Sequence, residues 1–128
     1  MKINIKNRLL IIVTLACSVL SYSAYSHHSN AMFEEQRVVE LTGTIEEFQF
    51  TNPHSWIQVN VADEKGNLVE WSIEWGSPNQ LGRQGVRPST FPAGADVTIK
   101  TRPMKDGSPG GLFVGARFAD GSTLGRWE

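Results

Sequence analysis

From Leu41 onward, apolar and polar positions alternate with a period of two, in runs separated by turn residues. Leu41 to Phe50 (LTGTIEEFQF) places apolar residues at Leu41 and Ile45, then at Phe48 and Phe50. The phase switches at Glu46-Glu47, which predicts a bulge or strong bend in one long strand. Thr51-Asn52-Pro53-His54-Ser55 is a turn, because proline has no N–H with which to continue a ladder. Trp56 to Val61 sets Ile57, Val59 and Val61 on one face. After the turn Asp63 to Asn67, Leu68 to Trp75 sets Val69, Trp71, Ile73 and Trp75 on one face and Glu70, Ser72 and Glu74 on the other.

Gly76-Ser77-Pro78 breaks the pattern and starts a short helix, with Ser77 as cap and Pro78 in its first turn. That helix is predicted over Asn79 to Gln84, ended by Gly85. Asp96 to Met104 and Leu112 to Phe118 read as a fourth and a fifth strand, joined through the turn Asp106 to Gly111. Three strands, a short helix and two strands follow the order of an OB-fold barrel. The expected fold is therefore all-β with one short helix, a small OB-like five-stranded barrel whose helix lies between strands 3 and 4. A small sandwich leaves similar traces.

The first 26 residues read differently. Lys2, Lys6 and Arg8 precede an apolar stretch from Leu9 to about Leu20, and Ala24-Tyr25-Ser26 supplies small residues at the two cleavage positions. This is the layout of a cleaved secretory signal, and the stretch is short of the roughly 20 residues of a membrane-spanning helix. The expected organisation is a leader over 1–26 and one β-barrel domain over 27–128, with an N-terminal tail over 27–39. Periplasmic localisation follows, with no membrane span once the leader is removed. A lipoprotein signal cut just before Cys17 is the rival, and Thr14-Leu15-Ala16 matches it poorly.

Cleavage alters charge and chemistry. The three basic residues of the leader depart, leaving nine Lys and Arg against thirteen Asp and Glu, a net charge of −4 with histidine neutral. Nucleic acid and anionic membrane both call for a basic footprint and are poor partners for such a chain. Cys17 is the single cysteine, so the mature chain has neither a disulfide nor a thiolate.

Several landmarks together resemble a family of small exported bacterial proteins known only as a domain of unknown function. They are His27-His28-Ser29, Gly43-Thr44, Asn52-Pro53-His54, Glu70-Trp71, Gly76-Ser77-Pro78, Leu81, Arg83 and Gly85. Val86 departs from the pattern, where similar proteins carry tryptophan. The resemblance implies export and a single β domain, and it brings no activity with it.

Three histidines are the candidate chemistry. Cleavage after Ser26 makes His27 the first residue, offering both its amine and its imidazole. With His54 or His28 as a further imidazole, the set has the nitrogen ligands that suit Cu(II), which heads the divalent affinity order. Zn(II) is second, with Glu34 or Glu35 as a carboxylate ligand. The competing reading makes His27-His28 a tail and His54 a turn residue. Glu46, Glu47, Glu70 and Glu74 read as solvated strand surface, since Glu70 and Glu74 stand roughly 13 Å apart by strand rise.

Trp71 and Trp75 share the apolar phase and belong to the core, whereas Trp56 is out of phase and reads as exposed. Asn52, Pro53 and Trp56, with Arg83 beside the helix, form the candidate ligand- or partner-binding set. Two function classes follow: a periplasmic metal-binding protein, copper first, or a metal-free module holding a small ligand or a periplasmic protein. A copper-dependent oxidative enzyme is a third and weaker class, and no catalytic residue is assigned.

Overall fold

A long first strand, β1 (Val39–Gln49), organises the barrel by pairing antiparallel on both edges. One partner is β2 (Trp56–Ala62) and the other is β4 (Asp96–Pro103). The register against β2 shifts between Ile45 and Glu47, so the bulge lies at Glu46, where the phase of the sequence switches. Its effect is to return Phe48 to the inward phase opposite Ile57, after Ile45 opposite Val59. Gly43 is needed just before it, because a Cβ there would collide with the Asn60 carbonyl oxygen of β2.

The remaining strands close the barrel. β3 (Leu68–Glu74) pairs antiparallel with β2, and β5 (Gly110–Phe118) pairs antiparallel with β4. Ser72, Ile73 and Glu74 then lie parallel to Gly110, Gly111 and Leu112, joining the two ends of the sheet. This is the OB-like order that the sequence predicts, a closed five-stranded barrel with a short helix between β3 and β4. A sixth strand, β6 (Thr123–Gly125), was not predicted; it adds to β5 outside the barrel. Three residues are too short to display a period. β5 also starts at Gly110, before the predicted Leu112, because the closing contact uses the backbone of Gly110 and Gly111.

The computed structural model describes residues 28–128. The expected leader and its expected cleavage point, with Cys17 and His27, lie outside them. A first short helix, α1, spans His28–Ala31, and the barrel is a compact unit from Phe33 to Glu128. Phe33 is buried and bridges Met104, and the Glu34 N–H donates to the Pro103 carbonyl at 2.9 Å.

Helix α2 (Pro78–Arg83) begins with Pro78, one residue earlier than expected, and the Ser77 side chain accepts from the Gln80 N–H at 3.4 Å. It buries Leu81, beside which Val86 is also buried. The core gathers Leu41, Ile45, Ile57, Val59, Ile73, Val97 and Ile99. An aromatic cluster packs against it: Trp75 lies 4.1 Å from Phe113 between ring centroids, and Phe91 meets Phe48, Phe113 and Phe118 at 5.3, 6.3 and 5.2 Å. Trp71 and Trp75 are half-buried against this core, as their phase predicts.

Three aspartates fix the hairpin turns. Asp63 accepts from the Lys65 and Asn67 N–H groups, both at 2.8 Å, and from the Asn67 side-chain amide at 3.1 Å. Asp106 and Asp120 each begin an Asp-Gly-Ser turn and accept from the hydroxyl of Ser108 or Ser122 at 2.6 Å. These bonds favour the ionised form and hold all three carboxyls below the ordinary aspartate range; the largest contributions are the side chains of Asn67, Ser108 and Ser122 respectively.

Candidate functional site

The turn Thr51 to Ser55 leads from β1 into β2, and the Asn52–Pro53 peptide is cis. The ladder with β3 extends past the strand ends: the Trp75 N–H donates to the Ser55 carbonyl and the Ser55 N–H to the Gly76 carbonyl, both at 2.9 Å. Trp56 stands directly opposite Glu74. His54, two residues before Trp56, is therefore on the same face and diagonal to Glu74. Its Nδ1–H donates to the Glu74 Oε1. The His54 side chain remains 41% exposed, whereas that of Glu74 is only 11% exposed.

This overturns the reading of Glu74 as solvated surface. Its strand phase is outward, as predicted, but its neighbours cover it. Trp56 lies opposite on β2, Leu112 lies beside it on β5, and His54 caps its carboxylate. Burial there is a product of barrel closure, which no single strand pattern records. Hairpin counting carries a signal for the pair, because the register that sets Ala62 opposite Leu68 also sets Trp56 opposite Glu74.

Trp56 is half-buried between Gln49 and Glu74, not exposed as the phase alone predicts. Asn52 and Pro53 are exposed. Arg83 is exposed in the last turn of α2 and forms no ion pair among the described residues. Arg87, by contrast, spends its guanidinium on the helix end, donating to the Gly82 and Val86 carbonyls at 3.0 Å each. Ser55 is fully buried, and its Oγ has no hydrogen-bond partner among the described residues.

An imidazole whose Nδ1–H is held by a carboxylate presents Nε2 as its lone pair when neutral. Among the described residues, no three His, Cys, Asp or Glu side chains gather into a metal-holding group. Glu34 and Glu35 thus complete no such cluster, His28 falls in α1, and His27 lies outside the described residues. No described helix is long and apolar enough to cross a membrane.

The charge on the barrel is uneven. Strands β1, β2 and β3 contain five glutamates and no lysine or arginine. Glu46 accepts from the Asn60 amide at 2.8 Å and Glu47 from the Gln49 amide at 2.9 Å. Strands 2 and 3 are the surface on which OB barrels hold polyanionic strands, and the charged side chains on β2 and β3 here are Glu70 and Glu74 alone.

Residues 14–114 match the model of a family described as "Family of unknown function (DUF6152)". No curated protein and no solved structure matches the chain.

Proposed function

The chain belongs to this family of unknown function, and from the His54–Glu74 pair we propose that it is an exported metal-binding protein, with Cu(II) its first ion and Zn(II) its second. The supporting observation is the buried Glu74 carboxylate on Nδ1 of a half-exposed histidine. Histidines that bind metals commonly donate their other ring N–H to a carboxylate, which fixes the ring and raises its basicity. In this reading His54 offers Nε2, and the remaining nitrogens come from the amine and imidazole of His27, with His28 as a further imidazole. Export belongs to the same reading, because the His27 amine exists only after cleavage at Ser26. The role is sequestration or delivery of the ion in the periplasm.

The test is a Cu(II) electron paramagnetic resonance spectrum of protein processed in cells, with its first residue verified by intact mass. A stoichiometric spectrum with two or three coupled nitrogens, lost in His54→Ala, is expected. A spectrum of loosely held copper that ignores His54 would overturn the reading. The exposure of Asn52 and Pro53 beside the half-buried Trp56 favours a second reading, a metal-free module that holds a small ligand or periplasmic protein at this end of the barrel, with Arg83 of α2 as a further contact. Under it, Trp56→Ala abolishes binding while copper has no effect.

A further inference from the structure

Between β4, β5, the start of β1 and the chain that follows β6 lies an open groove of about 400 Å³ in which basic side chains gather. Lys100, Arg102 and Arg126 line it, together with the apolar side chains of Val38 and Val114. Two carboxylates, Glu40 and Glu128, also reach it. The groove exists because of Gly115, which pairs with Lys100. A Cβ at that position would run into the backbone of Arg126, so only glycine lets the chain after β6 cross β5 closely. The Arg126 N–H donates to the Val114 carbonyl at 2.9 Å, which fixes the crossing.

The three cations are not equivalent. Lys100 is already engaged: its Nζ donates to the Trp127 carbonyl at 2.6 Å, lies 3.6 Å from Glu40, and sits 4.7 Å from the Trp127 ring centroid. Arg102 and Arg126 form no ion pair among the described residues. The Nε of Arg102 is moreover buried and has no acceptor among them. A buried charged donor without a partner is costly, and an acceptor bound there offsets that cost. A guanidinium also presents its donors in a planar fork matched to the two oxygens of a carboxylate or phosphate.

We propose that this groove is a binding site for a small organic oxyanion, a carboxylate or a phosphate. Arg102 holds the anionic group through Nε and its fork, Arg126 closes on it from the chain just after β6, and the carbon frame lies along Val38 and Val114. Glu40 and Glu128 disfavour a large polyanion and restrict the site to a single anionic group. The site is independent of the His54–Glu74 pair and of any metal.

The test is an NMR titration of the full chain with inorganic phosphate and, separately, with hexanoate at constant ionic strength. The Arg102 Nε–H and the Val114 amide report binding. A saturable shift with either probe is expected; phosphate alone marks a phosphoryl ligand, and hexanoate alone a carboxylate with an apolar frame. Arg102→Lys keeps the charge but loses the fork, and about tenfold or greater weakening is expected, read at Val114. Arg126→Gln, at an exposed position that does not threaten the fold, is expected to weaken binding as well. Shifts that never saturate for either probe, or affinities unchanged in both variants, would overturn the proposal.

Discussion

The Nδ1–H of His54 donates to the carboxylate of Glu74, linking the turn after β1 to the last residue of β3. An exposed imidazole thereby gains a fixed ring orientation from a buried acid. If the ring serves as a ligand, Glu74→Gln weakens Cu(II) binding about 10–100-fold, the usual effect of losing such a supporting group. Competition against a chelator of known affinity measures it, and an unchanged affinity would detach Glu74 from metal binding.

The same pair contributes to stability. His54→Ala removes the partner of a buried carboxylate and is expected to cost about 1–3 kcal/mol. Glu74→Ala in the same background should cost less than in the wild type, because the two residues form one interaction. Urea denaturation of the two single variants and the double variant checks this, and strict additivity would contradict it.

Phe91 is 1% exposed and touches Phe48, Trp75, Phe113 and Phe118. Phe91→Ala leaves a cavity among rigid rings that cannot collapse into it. A loss of about 3–5 kcal/mol is expected from chemical denaturation, with the Trp75 fluorescence shifted in the native state.

Gly43→Ala tests the bend of β1. The added Cβ meets the Asn60 carbonyl, so β1 and β2 must part at the bulge. About 1–3 kcal/mol of destabilisation is expected, as for overpacking elsewhere. Slowed amide exchange at Asn60 and Val61 would contradict a parting of the strands.

The turn aspartates set an acid limit. Their folded-state carboxyls titrate lower than in the unfolded chain, so the unfolded chain takes up protons first as pH falls. Their contribution is whole above the unfolded value of about 3.9 and is lost as pH drops through the folded values below it. Melting temperature measured from pH 6 to pH 2 should fall most steeply below about pH 4. Asp106→Ala and Asp120→Ala should each flatten that fall and lower the plateau.

Much of the barrel is legible in the order of residues because each strand carries its own evidence. Ile57 and Val59 alternate with Gln58 and Asn60, the phase break at Glu46 marks the bulge, and Ser77-Pro78 marks the start of α2. The candidate site is less legible. His54 stands out as one of three histidines in the chain, but nothing local sets Glu74 apart from Glu70, which shares its strand phase and is exposed. Arg102 likewise alternates outward on β4 like any surface cation. Its buried Nε depends on residues of other strands.

Periodicity, turn chemistry and charge count are properties of neighbours along the chain, so the order of residues alone specifies the five barrel strands, the bulge, the short helix and the acidic character of β1 to β3, but not the three-residue β6. Closure is different. The parallel contact of Ser72 to Glu74 with Gly110 to Leu112 joins residues nearly forty positions apart. It decides that Glu74 is buried under His54 while Glu70 is not. The close passage of Gly115 under Arg126 likewise decides that Lys100 is engaged while Arg102 is not. Which polar groups lose water depends on what the fold brings over them, and the free energy of a buried charge is set by those neighbours rather than by its own place in the chain.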